Sequence, residues 1–451
     1  MEQKDEKNLE LFRDYLKNKQ YTLLRGKAAD MNEADLASIM EMMEDDDMLK
    51  MFRLFPKELA ADVFSMLEHD SQEYIITSLS EKEAGVIIDN LFADDATDLL
   101  EEMPANVVKR ILSNAKPETR NDINHLLQYP DDSAGSIMTT EFMDLKENMT
   151  VKQAINRIRT KGIDSETVNV LYILNPKRLL LGTIGLRSLI MHDPDDVIGD
   201  FMEDDVIFCT TSTDQEKVAQ IFKKYDFTAL PVVDKENRMV GIITVDDVMD
   251  IMEKETTEDM DKMAAIIPND KPYLKTTVFE TWKKRIPWLM LMMISATFTG
   301  KIITSFEGAL SKFIILTAYI PMLMDTGGNS GSQASTEVVR SLSIGQISLK
   351  DRFKVVWKEM RVGLLCGATL AFVNFLKCIF LDHVSVTIAI IICSTIIFCV
   401  FFAKLIASCL VMIVTRMKLD AAVVASPMLT TIIDAISLTI YFSISTVLLG
   451  L

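Results

Sequence analysis

From Arg285 to its last residue the sequence is unlike that of a water-soluble protein. Five predominantly apolar stretches, near 286–306, 313–340, 361–381, 384–415 and 421–449, follow one another across short polar breaks. Each is long enough for a helix to cross a hydrocarbon core, which takes about 20 residues. Lipid offers nothing to bond backbone N–H and C=O groups, so the spans must be helices. Polar side chains within them must face protein or a water-filled path. The expected fold of 286–451 is a five-helix α transmembrane domain.

Two spans break the apolar pattern. The second contains Tyr319 to Glu337, YIPMLMDTGGNSGSQASTE, with Pro321, Asp325, three glycines, Asn329 and Gln333. The last, LDAAVVASPMLTTIIDAISLTIYF, holds Asp434 between isoleucines. Pro427, Thr430 and Asp434 recur at helical spacing and share one face. A lone carboxylate in hydrocarbon costs several kcal/mol (about 3 or more) unless it is hydrated, paired or bound to a cation. One carboxylate among hydroxyl, amide and carbonyl oxygens suits a hydrated Mg2+ ion, which gives up its water shell reluctantly. Asp325 is left to shape the entrance or to pair with a neighbour. Lys377 sits near a span end and is placed to snorkel, while Lys404 lies deeper and either snorkels or has a buried partner.

Charge divides the chain at the same place. The formal net charge is −18, but from Lys284 onward there are 14 basic and 8 acidic residues, so residues 1–283 carry a net −24. An acidic soluble half excludes nucleic acid as a partner and suits hard divalent cations with oxygen ligands. Basic residues gather on one side of the spans: Lys283, Lys284, Arg285, Arg340, Lys350, Arg352, Lys354, Lys358, Arg361, Arg416 and Lys418. The positive-inside rule then makes the soluble half cytoplasmic and puts the C-terminus outside a multi-pass cell-membrane protein. The polar start MEQKDEKNLE reads as no signal peptide. Six cysteines include no CxxC pair, so a zinc site is not expected.

The soluble half has two parts. Residues 1–135 read as an acidic N-terminal α-helical solenoid with a weak repeat of about 24 residues. Helix starts are marked at Pro56-Lys57-Glu58, Ser80-Glu81 and Pro104-Ala105. Glu58, Asp94 and Asp95 are its candidate acids, and the methionines at 40, 42, 43, 48 and 51 read as core fillers. From Ser136 strands and helices alternate, and the unit occurs twice, over 136–198 and 199–258. The segment 259–285 reads as a linking amphipathic helix after a break at Ile267-Pro268-Asn269-Asp270.

The run Leu230-Pro231-Val232-Val233-Asp234 followed by Gly241-Ile242-Ile243-Thr244-Val245-Asp246-Asp247 resembles CBS domains, and the two units resemble a tandem CBS (α/β) pair. In that family a Thr and an Asp three residues later hold a nucleotide ribose. The resemblance therefore implies a nucleotide such as ATP at Thr244 and Asp247; the first copy has Gly185 and Ser188 there.

Over nearly the whole chain the sequence resembles the MgtE family of magnesium channels. The resemblance rests on Pro321-x-Leu323-x-x-x-Gly327-Gly328-Asn329-x-Gly331-x-Gln333, on Pro427-x-x-Thr430-Thr431-x-x-Asp434, and on the order of helical domain, CBS pair and spans. It implies a homodimer with the conduction path between two membrane halves, Asp434 as principal ion ligand and Asn329 beside the path. It also implies Mg2+-sensing acids that close the pore, at Asp214, Glu216, Asp226, Asp247, Asp250, Glu258 and Asp259. The chain departs from the family pattern at Ala421, Ser426 and Ser437. The function so implied is a Mg2+-selective channel for magnesium uptake, closed by intracellular Mg2+. The alternatives are the same build carrying Co2+ or Mn2+, and a membrane-anchored CBS sensor without transport. An anchor gains nothing from a buried Asp434. Four scattered histidines, with no nucleophile motif or phosphate-binding glycine loop, give an enzyme no support.

Overall fold

The structure, a computed structural model, describes residues 2–101, 103–269, 273–424 and 427–450; Asp270 and Ser426 lie outside them. The chain divides into two units, Met1–Ile251 and Met252–Leu451.

The first unit opens with ten helices among the described residues: α1 (Glu2–Lys17), α2 (Tyr21–Ala29), α3 (Glu33–Glu41), α4 (Asp45–Phe52), α5 (Lys57–Ser65), α6 (His69–Ser78), α7 (Glu81–Ile88), α8 (Ala93–Glu101), α9 (Ala105–Leu112) and α10 (Pro117–Leu126). The repeat is a repeat of helix starts. Asn32, Pro56, Ser80 and Pro104 are successive N-caps, about 24 residues apart. Asn32 and Ser80 accept backbone N–H groups, and Ser80 with Glu83 forms a capping box. Odd helices stack α3 on α5 on α7 on α9, and even ones α4 on α6 on α8 on α10. Acids tie one pair to the next: Glu41 accepts Glu68 N at 2.9 Å, and Asp89 accepts Lys116 N at 2.7 Å. Met40, Met43, Met48 and Met51 are core residues, as read; Met42 is 45% exposed.

Two sheets of identical topology follow. The first has β1 (Phe142–Leu145), α11 (Val151–Lys161), β2 (Thr167–Leu174), β3 (Leu180–Gly185) and α12 (Leu186–Met191). The second has β4 (Cys209–Thr210), α13 (Gln215–Tyr225), β5 (Ala229–Val233), β6 (Met239–Thr244) and α14 (Val245–Met263). In each, the first strand runs parallel and the third antiparallel to the middle one. The hairpin turns are built alike: Asn175 Oδ1 accepts from Lys177 N and Leu179 N, and Asp234 Oδ1 from Glu236 N and Arg238 N. The copies are interlocked, because the segment leading into each pairs with the other's sheet, Thr139 with Ile242 and Glu203 with Thr183.

In the second unit α15 (Val278–Ser305), α16 (Glu307–Lys312), α17 (Ile320–Ser343), α18 (Arg352–Phe380), α19 (Val386–Arg416) and α20 (Pro427–Leu449) follow. Among the described residues four helices are long and apolar enough to cross a membrane, and α17, the second expected span, is not among them. Its 24 residues carry too many amide, hydroxyl and charged groups. Among the described residues no separate helix occupies 259–285: α14 ends at Met263 and α15 starts at Val278. Thr277 and Glu280 form a capping box that starts α15 at Val278, and the helix runs on through Lys283, Lys284 and Arg285. Pro287 is therefore interior to α15. Pro321, by contrast, stands in the first turn of α17, where its missing N–H leaves no hydrogen bond unmade.

α19 is the axis of this unit, packed against α17, α18 and α20. Gly367 lets α18 reach it closely: a Cβ there would stand 3.0 Å from Ile397 Cα. Lys404 of α19 is buried and has a partner, Glu359 of α18, also buried, at 3.8 Å. Lys377 pairs at 2.9 Å with Asp382 near the end of its helix.

Candidate functional site

In the membrane half the two polar spans lie face to face. Gly327 and Gly328 of α17 pack on α20, where a Cβ at Gly327 would stand 2.7 Å from Ser437 Oγ. A Cβ at Gly328 would stand 2.9 Å from Thr430 Cγ2 and 3.9 Å from Asp434 Oδ1. The glycines thus bring the α17 backbone against the helical face that carries Thr430 and Asp434. Asp434 Oδ1 is buried, and no donor among the described residues reaches it. Leaving a carboxylate oxygen buried without a donor or a cation is costly. The adjoining edge of α17 is exposed and polar: Asp325, Asn329 and Gln333 recur every four residues along it. Asn329 Nδ2 donates to Asp325 Oδ1 at 3.0 Å.

The seven regulatory candidates do not form one site. Asp214 is the N-cap of α13, accepting Glu216 N at 3.0 Å. Asp226 ends the same eleven-residue helix at φ 52°. The two ends are about 16 Å apart at 1.5 Å per residue, so Asp214 and Glu216 stand apart from Asp226.

Asp247, at the start of α14, belongs to a second group. It is gathered with Asp94 and Asp95 of α8, with Glu141 and Glu166, and with Asp246. Burial, with the neighbouring carboxylates, pushes Glu166 up to about 8 and Asp95 up to about 6. Burial and Asp246 push Asp247 up to about 6 against the hydrogen bond from Thr244, and Asp250 adds to the repulsion. Asp94 rises well above the usual carboxylate range, by burial first and then by Asp247. Glu166 Oε2 is buried with no partner among the described residues. Among the described residues no base is a leading influence on Asp94, Asp95 or Glu166. Thr244 Oγ1 donates to Asp247 Oδ2 at 2.5 Å, so the two residues read as ribose ligands bond to each other.

The third group is at the C-terminal end of α14. Lys262 Nζ contacts Glu258 at 2.5 Å and Asp420, in the loop before α20, at 2.6 Å. Asp259 Oδ2 accepts Ser343 Oγ, from the last residue of α17, at 3.1 Å. Burial raises the Asp259 carboxyl against that bond. The family resemblance singled out Glu258 and Asp259 but gave neither Lys262 nor Asp420, and nothing local links residues 158 apart. Glu166, outside any acidic run, was missed for the same reason. Among the described residues no three His, Cys, Asp or Glu side chains form a direct metal cage.

Comparison with known proteins agrees with this layout. Three family models match: a divalent cation transporter domain named MgtE over residues 320–444, the MgtE intracellular N domain over 31–132, and a CBS domain over 198–254. The magnesium transporter MgtE of Thermus thermophilus is 34% identical over 430 residues, 94% of this chain and 95% of its own. That of Bacillus subtilis is 29% identical over 91% and 93%. A crystal structure of the soluble part of a magnesium transporter superposes with a TM-score of 0.53 at 30% identity, covering 56% of this chain and 99% of that one. The cytosolic domain of the Mg2+ channel MgtE in complex with ATP gives 0.51 at 34% identity, over 53% and 98%. With its helical domain, its paired sheets and its apolar helices all accounted for, the chain belongs to the MgtE family of magnesium transporters.

Proposed function

We propose that the protein is a Mg2+-selective channel for magnesium uptake across the cell membrane, closed by intracellular Mg2+ bound to its cytosolic acids. The observation that carries the channel reading is α17. It exposes Asp325, Asn329 and Gln333 on one edge and, on the adjoining one, packs its glycines beside the Asp434 oxygen that has no donor among the described residues. Lipid cannot cover such an edge, so it borders water in a path completed by a second copy of the chain. Asp434 supplies the charge and Asn329 an amide oxygen to an ion that keeps most of its water. α17 is then the fifth spanning helix, the soluble half is cytoplasmic and the C-terminus lies outside.

For the gate, the support is the acid group around Asp247. A divalent cation there supplies the charge that Glu166, Asp94 and Asp95 lack, and so favours the compact arrangement as internal Mg2+ rises. Asp250, Asp214, Glu216 and Asp226 add field on the same unit, while Glu258 and Asp259 act at the far end of α14. A relative's cytosolic domain binds ATP. Here Asp247 fits a ribose as an acceptor, but the acids around it fit a triphosphate only with accompanying cations.

Substitution of Asp434 tests the path. In lipid vesicles Asp434→Ala is expected to lower Mg2+ influx at least about a hundredfold, the scale of losing a buried charge contact. Wild-type influx from that variant would overturn the reading. Influx of Mn2+ and Co2+ by the unsubstituted protein measures its selectivity.

A further inference from the structure

We propose that Asp325 is a positioning and selectivity residue of the cation path, holding the Asn329 amide so that its oxygen faces the ion. This rests on the reading of the α17 edge as the wall of that path.

Asp325 lies one helical turn before Asn329 on the exposed edge of α17. An ionised carboxylate accepts hydrogen bonds and cannot donate them. The amide atom 3.0 Å from Asp325 Oδ1 is therefore the NH2 group of Asn329. The amide is planar, so fixing its NH2 end turns Oδ1 away from Asp325, and no donor among the described residues takes it. A cation, or a water in its shell, needs that oxygen; the NH2 end would repel it. Without Asp325 the amide is free to flip, and half of its orientations offer the wrong end.

Asp325 also contributes charge. It stands one turn before Gly328, where a Cβ would be 3.9 Å from Asp434 Oδ1. A divalent ion between the two carboxylates gains from both, and its gain is twice that of a monovalent ion. By the topology proposed above, α17 begins on the outer side, so Asp325 stands between the outer mouth and the level of Asp434. It acts on ions before they reach the main ligand.

The test uses the full chain in lipid vesicles, measuring half-saturating external Mg2+ and the ratio of Mg2+ to K+ influx. Asp325→Ala is expected to raise half-saturation about tenfold and lower the ratio, as loss of one charge-assisted hydrogen bond would. Asn329→Ala should do the same, and the double variant should be no worse than Asp325→Ala alone, because the two residues act as a unit. Asp325→Asn keeps shape and an acceptor for Asn329 Nδ2 but loses the charge. An intermediate half-saturation from it supports the proposal even if the alanine variant fails to fold. Wild-type half-saturation and ratio in both Asp325 variants, alongside loss of influx in Asp434→Ala, would overturn the role of Asp325 and leave the path standing. So would effects that multiply in the double variant. Unchanged influx in Asp434→Ala would remove the path, and the proposal with it.

Discussion

Single residues in the membrane half show how strongly surroundings decide chemistry. Lys404 sits in an apolar span, where either snorkelling or pairing is physically reasonable. Folding resolves this in favour of Glu359, with both side chains buried. Such a pair adds little net stability over an apolar one, but breaking it strands a charge. Lys404→Met should therefore destabilise the protein by about 3–5 kcal/mol, and adding Glu359→Gln should recover most of the loss. Thermal unfolding in detergent reads both; equal stability of the single and double variants would contradict the pairing. No pattern in the sequence pointed to this partner, because Glu359 stands just outside the apolar stretch that begins near 361.

At the scale of elements, α14 and α17 carry most of what was unexpected. α17 reads from composition as one more span, yet its polar groups are so many that length alone marks it. Their helical spacing decides what they do, gathering polar residues on one edge and small ones on the other. α14 bears Asp247 in its first turn and Glu258, Asp259 and Lys262 in its last turns. Lys262 is a built-in cation between Glu258 and Asp420. It competes with any divalent ion for the same two carboxylates. Lys262→Gln is expected to lower the internal Mg2+ concentration that half-inhibits influx by a factor of about two to five, the scale of a partly exposed ion pair. An increase instead would mean that Lys262 itself holds the closed arrangement.

Across the whole molecule, charge and membrane segregate: a net −24 lies before Lys284 and the apolar helices lie after it. With the gate proposed above, the consequence is a stability that depends on both protons and Mg2+. Glu166 rises to about 8 from an ordinary 4.5, and Asp95 and Asp247 to about 6 from 3.8. These acids hold more protons folded than unfolded over that range. Their contribution is thus fully present below about pH 4 and is lost as pH rises through 6 and then 8. By the gate proposed above, Mg2+ replaces the missing protons. The first thermal transition of the full chain should fall between pH 5 and pH 8 without Mg2+. Excess Mg2+ should raise it by several degrees at pH 8 and hardly at all at pH 5. Equal Mg2+ stabilisation at both values would show that the ion acts elsewhere.

Much was legible in the sequence because it is local. Spacing of caps about 24 residues apart marks the solenoid, and two matching strand–turn–strand units mark the paired sheets. A carboxylate among isoleucines marks Asp434, since no lipid-facing position tolerates one. Tertiary structure alone decided which groups meet. It set Glu166 beside Asp247, Lys404 against Glu359 and Lys262 against Asp420, and among the described residues it left Asp434 Oδ1 without a donor. The reason is physical: periodicity fixes the face on which a side chain lies, whereas the cost of a buried charge depends on whatever distant segment is packed against that face.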